Sequence, residues 1–276
     1  MTHVLADGSA PTLDDSGTST AQLTSEVLRN ALVVAAEEAS IVVVRSAFST
    51  FVVEGSDASA AILDKEGRLI AHSMATTLMN SMALSVAVPF LLADIPLDTM
   101  RPGDVFATND AYKGGVHTND ILIFKPIFIE GTVEYFTATL IHVSDIGGAS
   151  AGGMASLATE IFAEGLQLPP VRIANADGLE EPIMRILALN SRTPDKVQGD
   201  VRALIAGAST AAKRVEELID EYGVQGFANG VNDYLEYTEV LTRAAIDDLP
   251  AGTYRSDYTI DDDASPACAV IVYRWR

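Results

Sequence analysis

The sequence has very little cysteine and no long apolar run. Its single cysteine in 276 residues, Cys268, excludes an internal disulfide, and we expect it to be a buried small residue. No stretch approaches the roughly 20 apolar residues of a membrane-spanning helix, so a membrane protein is not expected. Residues 1–22 lack the basic and apolar regions of a signal peptide and are predicted to form a disordered tail. Cytoplasm is therefore the expected location.

Basic residues are also scarce. The chain has 18 Lys and Arg against 38 Asp and Glu, a formal net charge of −20. Such a field repels phosphate backbones and anionic lipids, so neither nucleic acid nor a membrane is an expected partner. The sequence also lacks a phosphate-binding P-loop, a dinucleotide fingerprint and a G-x-S-x-G motif. We therefore expect no nucleotide site in this chain and no Ser-His-Asp triad.

What is present indicates a folded protein, with 48% hydrophobic residues and alternating helix and strand patterns. We predict an α+β fold with a mixed sheet, packed helices and a long helical hairpin in the C-terminal part. The predicted helices span about 22–46, 81–93, 194–223 and 225–249, and the predicted strands span 58–63, 68–71, 121–129, 133–142 and 268–273, with another from about 253. The corresponding domains are a tail (1–22), an α+β domain with a candidate metal site (23–192), a helical hairpin (193–250) and the start of a truncated β region (251–276).

Two histidines are each followed three residues later by an aspartate, as His117 with Asp120 and His142 with Asp145. A hairpin that turns at 130–132 would bring both histidines to the same end of a sheet. Zinc and manganese favour mixed imidazole and carboxylate ligands, so a catalytic metal site is one interpretation. The alternative, which spacing alone does not exclude, is that each histidine is a hydrogen-bonded turn residue.

Other polar clusters give weaker signals. Glu54 and Asp57 precede the first strand, where Glu54 fits a solvated loop or helix cap and Asp57 is placed to reach the end of the sheet. The run Asp261–Asp263 is interpreted as a surface turn, because adjacent carboxylates diverge. His72 is taken as a pocket or surface residue without a role. The segment 147–170, rich in Gly, Ala and Ser, predicts a long loop packed closely on another part of the chain.

Many of these residues fall within a series of motifs that runs in a fixed order from about Leu23 to the C-terminus. The motifs are Arg45-Ser46-Ala47, Asp57–Asp64, Gly67-Arg68-Leu69, Gly103–Phe106, Asn109–His117, Asp120, His142–Gly148, Thr159–Phe162, Glu164-Gly165, Pro169-Pro170, Arg192–Pro194 and Gly199-Asp200. Together they resemble the hydantoinase B/oxoprolinase family. That family includes the B subunits of ATP-dependent hydantoinases, the C-terminal half of 5-oxoprolinases, and the large subunits of acetone and acetophenone carboxylases.

The resemblance implies a divalent metal, zinc or manganese, on His117, Asp120 and His142, with Asp57 as a further ligand or neighbour. On this basis we expect Asp57 to complete or orient the shell and Asp145 to aim an imidazole or act as a base. A separate A-type subunit would use ATP to phosphorylate the carbonyl oxygen of the substrate. The activated species would then react at the metal site, where water of lowered pKa is available.

Three functions follow as hypotheses. The first is a metal-dependent hydrolase subunit that opens a cyclic amide such as 5-oxoproline or a hydantoin, in a hetero-oligomer with an A-type ATP-using subunit. The second is the large subunit of an ATP-dependent ketone carboxylase. The third is a truncated, non-catalytic assembly subunit, because the B subunits of the family are longer than this chain. The sequence also departs from the usual N-D-P-Y motif, with Ala111 in place of proline.

Overall fold

The computed structural model describes residues 20–55, 58–74, 78–153, 155, 157–260 and 267–275. The helices of this described chain are α1 (Thr20–Ser46), α2 (Thr50–Gly55), α3 (Leu78–Asp94), α4 (Glu181–Asn190), α5 (Pro194–Tyr222) and α6 (Val224–Asp247). Its strands are β1 (Ala58–Asp64), β2 (Leu69–His72), β3 (Val105–Thr108), β4 (Asp120–Ile129), β5 (Thr132–His142), β6 (Val171–Asn175), β7 (Gly178–Leu179), β8 (Gly252–Ile260) and β9 (Ala267–Trp275). Asp57, Asp261–Asp263 and the predicted tail up to residue 19 lie outside the described residues.

Seven strands form one sheet in the order β2-β1-β5-β4-β3-β6-β7. The α+β class predicted from the sequence is confirmed. The sheet is not mixed, however, because every strand pairing recorded in it is antiparallel. For three of these pairings the reason is local: β1 and β2, β4 and β5, and β6 and β7 are joined by short turns, which reverse the chain direction between neighbouring strands.

The central hairpin of β4 and β5 is confirmed, with its two strands beginning one residue earlier than predicted. Its two-residue loop, Glu130-Gly131, has positive φ at both positions (50° and 86°), the pattern of a type I′ turn whose twist suits a tight hairpin. This turn, together with a one-residue register shift between Ile127 and Phe128, places Asp120 at the start of β4 opposite His142 at the end of β5. The register of the two strands therefore determines which side chains meet at the open end of the hairpin, opposite the turn.

Helices cover both faces of the sheet. On one face, the Thr137 and Thr139 hydroxyls of β5 donate to the Ala208 and Leu204 carbonyls of α5 (2.8 and 3.0 Å). Side chains of the alternate residues in β5 point to the other face and join a core cluster with residues of α3, including Leu84. This period-two alternation with both faces buried explains why β5 is almost continuously apolar or hydroxylated.

Helix α5 packs along α1, and small residues allow their close approach. A Cβ on Gly207 would lie 2.9 Å from the carbonyl oxygen of Ala39 and 2.4 Å from a methyl group of Val43. Two long helices therefore lie together over the sheet, and their buried faces share the core that contains Ile121 and Ile141 of the central hairpin. Both long C-terminal helices predicted from the sequence are present, separated at Gly223.

The chain divides into two compact units, residues 1–231 and 232–276. The first contains the seven-stranded sheet and its helices. The second contains the distal part of α6 and the antiparallel β8–β9 hairpin. The domain boundary suggested at 193 falls inside the first unit, where α5 packs on α1 and the sheet. Along the described residues, no helix is both long and apolar enough to cross a membrane.

Candidate metal centre

The candidate site lies at the open end of the β4–β5 hairpin. Asp120 begins β4 and pairs across the sheet with His142, the last residue of β5. His117 is brought to the same place by a turn in which the Asp120 amide donates to the His117 carbonyl (3.0 Å). Three residues that are up to 25 positions apart in the sequence thus share one corner of the sheet.

The Asp120 carboxylate lies between the two imidazoles. Its Oδ1 lies 2.9 Å from Nδ1 of His142, and its Oδ2 lies 3.1 Å from Nδ1 of His117. The His117 amide also donates to Oδ2 (2.7 Å). The two rings are 5.3 Å apart and meet edge to face at 81°. One donor atom from each of the three side chains can be chosen so that all lie within 4.8 Å of one another.

Exposure grades across this cluster from the core to the surface. The Asp120 side chain is 3% exposed, that of His142 17%, and that of His117 60%. A buried carboxylate thus faces two imidazoles, one of which is reachable from solvent. Two imidazoles and a carboxylate are a donor set that suits zinc or manganese and leaves positions for water or substrate. Independent turn histidines would not need to converge on one carboxylate.

Asp145 does not join this cluster. Its carboxylate accepts hydrogen bonds from the amides of Gly147 (3.0 Å), Gly152 (2.9 Å) and Arg192 (2.8 Å), and it pairs with the Arg192 guanidinium (3.0 Å). Burial acts to raise the pKa of Asp145, but these hydrogen bonds outweigh burial and the pKa is lowered. A carboxylate held in this way is a weak base and an anchor for the surrounding loop. Its predicted catalytic role gains no support from this geometry.

The other sequence candidates lie elsewhere. Glu54 is exposed near the end of α2, as expected for a solvated residue. His72 ends β2, with Nδ1 2.9 Å from the Ser73 carbonyl oxygen. The role of Asp57 as a ligand or neighbour stays a prediction, because the residue lies outside the described part of the chain.

Sequence reasoning assigned no role to the asparagines that support the site. The buried Asn109 side chain donates to the carbonyls of Thr118 (2.7 Å) and Leu166 (2.8 Å) and accepts from the Leu168 amide (2.5 Å). Asn119 donates to the Val143 carbonyl (2.9 Å), next to His142. Each asparagine precedes an aspartate, Asn109 before Asp110 and Asn119 before the candidate ligand Asp120, and this repeated N-D pair was the available signal. An amide side chain can both donate and accept hydrogen bonds, so it can pair with backbone carbonyl and amide groups of irregular segments, which explains the use of asparagine here.

The fold and the site define a class of protein: an antiparallel sheet covered by helices, with a candidate metal centre on the central hairpin. The family model for Hydantoinase B/oxoprolinase matches residues 21–274. The chain belongs to the hydantoinase B/oxoprolinase family, as its motifs predicted.

Individual relatives agree with this assignment. An uncharacterized protein of Methanocaldococcus jannaschii is 30% identical over 86% of this chain and 42% of its own length. The acetophenone carboxylase delta subunit of Aromatoleum aromaticum is 31% identical over 79% of this chain and 32% of its own. The crystal structure of the ATP-dependent caprolactamase from Pseudomonas jessenii is similar with a TM-score of 0.75 at 26% identity, over 87% of this chain and 41% of that one. The present chain therefore spans less than half the length of these relatives.

Proposed function

We propose that the chain is the metal-binding part of an ATP-dependent hydrolase that opens a cyclic amide of the 5-oxoproline or hydantoin type. The observation that carries this proposal is the convergence of His117 and His142 on the buried Asp120 carboxylate. The family, and the similarity to a caprolactamase, support an amide-opening reaction. We further propose that the chain works in a hetero-oligomer in the cytoplasm, with an A-type subunit that uses ATP to activate the substrate.

In this proposal each residue of the cluster has a distinct role. These three side chains would hold a divalent cation, which would supply the Lewis acidity that lowers the pKa of water and polarises a carbonyl group. Asp120 fixes both imidazoles, since each of its oxygens faces one Nδ1 atom. His117, the most exposed of the three, faces the side from which substrate arrives. Phosphorylation of the amide oxygen by the partner would make the carbonyl carbon a better electrophile before water attacks.

The first test is metal binding by the purified chain. Wild type, His117→Ala and His142→Ala are loaded with zinc or manganese, desalted and analysed for metal content. We expect wild type to retain the metal and both variants to lose most of it. His72→Ala is the matched control, because His72 lies on β2 and is predicted to have no role; its metal content should equal that of wild type. Equal metal in all four proteins would contradict the site.

The second test concerns the reaction. The chain is co-expressed with an A-type partner and assayed for ring opening of 5-oxoproline or hydantoin with and without ATP. The proposal predicts ATP-dependent ring opening that is lost in His142→Ala. Ring opening without ATP would contradict the division of labour between the two subunits.

The similarity to an acetophenone carboxylase subunit favours a second candidate, ketone carboxylation at the same site. This reaction would consume a ketone in a bicarbonate-dependent manner, which the hydrolase would not.

A further inference from the structure

An arginine outside the candidate metal centre holds a glycine-rich loop, residues 145–153. The Nη1 group of Arg192 donates to the carbonyls of Gly147 (3.2 Å) and Ser150 (3.3 Å), and its Nη2 group donates to the carbonyl of Gly148 (2.8 Å). The same guanidinium pairs with the buried Asp145 carboxylate. Because a guanidinium presents its donors in a rigid planar fork, these bonds fix the loop in one arrangement.

Asp145 holds the same loop from the inner side. Its Oδ1 accepts from the amides of Gly147 and Arg192, and its Oδ2 accepts from the amide of Gly152. The carboxylate thereby joins the beginning of the loop, the end of the loop and the Arg192 backbone. The loop is therefore held by hydrogen bonds both to the Arg192 guanidinium and to the Asp145 carboxylate.

The loop in turn contacts Asn119, the residue next to Asp120. A Cβ added to Gly153 would lie 1.9 Å from Oδ1 of Asn119, so the loop backbone and this side chain are in close contact. The Asn119 side chain donates to the Val143 carbonyl (2.9 Å), and the Val143 amide donates back to the Asn119 carbonyl (3.0 Å). Asn119 and Val143 are the immediate neighbours of Asp120 and His142. The position of the loop is thereby transmitted to the end of the hairpin.

A second route leads from the loop to His117. The Ala149 amide donates to the Ala163 carbonyl (2.7 Å), and Gly148 packs against the backbone of residues 163–164. The Glu164 carboxylate then accepts from the Thr118 hydroxyl (2.6 Å). Thr118 is adjacent to His117. Contacts from the same loop therefore lead to the neighbours of Asp120 and His142 and to the neighbour of His117.

We infer that Arg192 and Asp145 are positioning residues for the candidate metal centre. They hold the 145–153 loop against Asn119 and residues 163–164, and thereby keep the two imidazoles on the Asp120 carboxylate. The part of this inference that concerns metal affinity rests on the proposed function. The part that concerns the imidazole geometry does not.

The sharpest variant is Gly153→Ala in the full chain, with Gly223→Ala as its matched control. Both glycines have positive φ angles, +70° and +71°, so an alanine is strained at either position, and at Gly223 a ψ of 154° places the backbone in a region that is essentially restricted to glycine. Only the alanine at 153 collides with a neighbour, since nothing lies within 4 Å of the Cβ position at Gly223. Gly223→Ala therefore controls for an alanine at a positive-φ glycine, and the contact with Asn119 is specific to Gly153→Ala.

Zinc affinity is measured by competition with a chromophoric chelator. We expect Gly153→Ala and Arg192→Ala to weaken binding by about 10- to 100-fold, the usual cost of losing a residue that orients a ligand. Gly223→Ala should match wild type, and Arg192→Lys should be intermediate because an ammonium keeps the charge but cannot reach every carbonyl. The thermal unfolding midpoint of each metal-free variant shows that it is folded.

A second readout needs no metal. Nitrogen-15 spectra of the metal-free chain report the imidazole environments of His117 and His142. Gly153→Ala and Arg192→Ala should shift these resonances, whereas Gly223→Ala should leave them in place. Wild-type zinc affinity and unchanged imidazole resonances in Gly153→Ala would overturn the inference. If wild type itself binds no zinc, the proposed function fails, and the imidazole resonances alone decide whether Arg192 and Asp145 position the cluster.

Discussion

Replacement of Asp200 by alanine should destabilise the protein more than any ordinary surface change. Asp200 lies on α5 with 0% exposure, and its Oδ1 accepts from the amides of Phe48 (2.7 Å) and Ser49 (3.0 Å). Its Oδ2 accepts from the Ser49 hydroxyl. The Ser49 oxygen in turn accepts from the Ser144 amide (2.9 Å). One carboxylate therefore joins α5, the start of α2 and the segment that follows His142.

The expected magnitude follows from the groups that would lose their partner. Asp200→Ala leaves the Phe48 and Ser49 amides without an acceptor; the buried Ser49 donor costs about 1–3 kcal/mol, and the part-buried Phe48 donor adds a smaller penalty. Asp200→Asn keeps one oxygen for both amides and should cost less. Its new amide group can donate to the Ser49 oxygen, provided that the Ser49 hydroxyl turns toward Ser144. The free energy of unfolding should therefore fall in the order wild type, Asp200→Asn, Asp200→Ala.

Urea denaturation of the metal-free chain, followed by far-ultraviolet circular dichroism, measures these differences. Asp220→Ala is the matched control, since Asp220 lies on the same helix but is exposed. Its unfolding free energy should stay within about 0.5 kcal/mol of wild type, as for most surface substitutions. An Asp200→Ala variant as stable as Asp220→Ala would refute the reasoning that the buried carboxylate ties these segments together.

Two further predictions concern pH and backbone packing. The pKa of Asp145 is lowered in the folded state, so the unfolded state binds more protons in acid. The stability that Asp145 contributes is therefore present above its unfolded pKa of about 3.9 and is lost as the pH falls through the folded pKa. The difference in unfolding free energy between wild type and Asp145→Asn should therefore be largest near neutral pH and should shrink in acid; a constant difference would contradict it. Gly114→Ala should lower the unfolding midpoint more than Gly131→Ala, since its Cβ would lie 2.5–2.8 Å from atoms of Ala87 whereas that of Gly131 meets nothing within 4 Å. Equal midpoints would contradict this packing.

The fold was predictable where the signals are local. The hairpin from Asp120 to His142 follows from two β-branched runs and the Glu130-Gly131 turn, and α5 begins at Pro194, where the predicted helix begins. The strand β3 and the helix α4 were not predicted. β3 is only four residues long and α4 ten, so neither shows enough of a period to be recognised alone. The packing of α5 along α1 depends on long-range complementarity of small residues, which no local pattern reveals.

For the candidate site, sequence reasoning identified the residues that converge but not those that hold them. Hairpin geometry alone predicted that His117 and His142 would approach each other. A role for Asp145 in aiming an imidazole was predicted, but its contacts with the loop and with Arg192, which lies 47 positions away, could not be. Hydrogen bonds between side chains and irregular backbone leave no periodic trace in a sequence.

The central claim is that His117, Asp120 and His142 bind one divalent cation. X-ray absorption at the zinc edge of the loaded chain tests it most directly. We expect one retained zinc with two imidazole ligands at about 2.0–2.1 Å in wild type, and little retained zinc in His142→Ala. A chain that retains no zinc, or a spectrum without imidazole scattering, would contradict it.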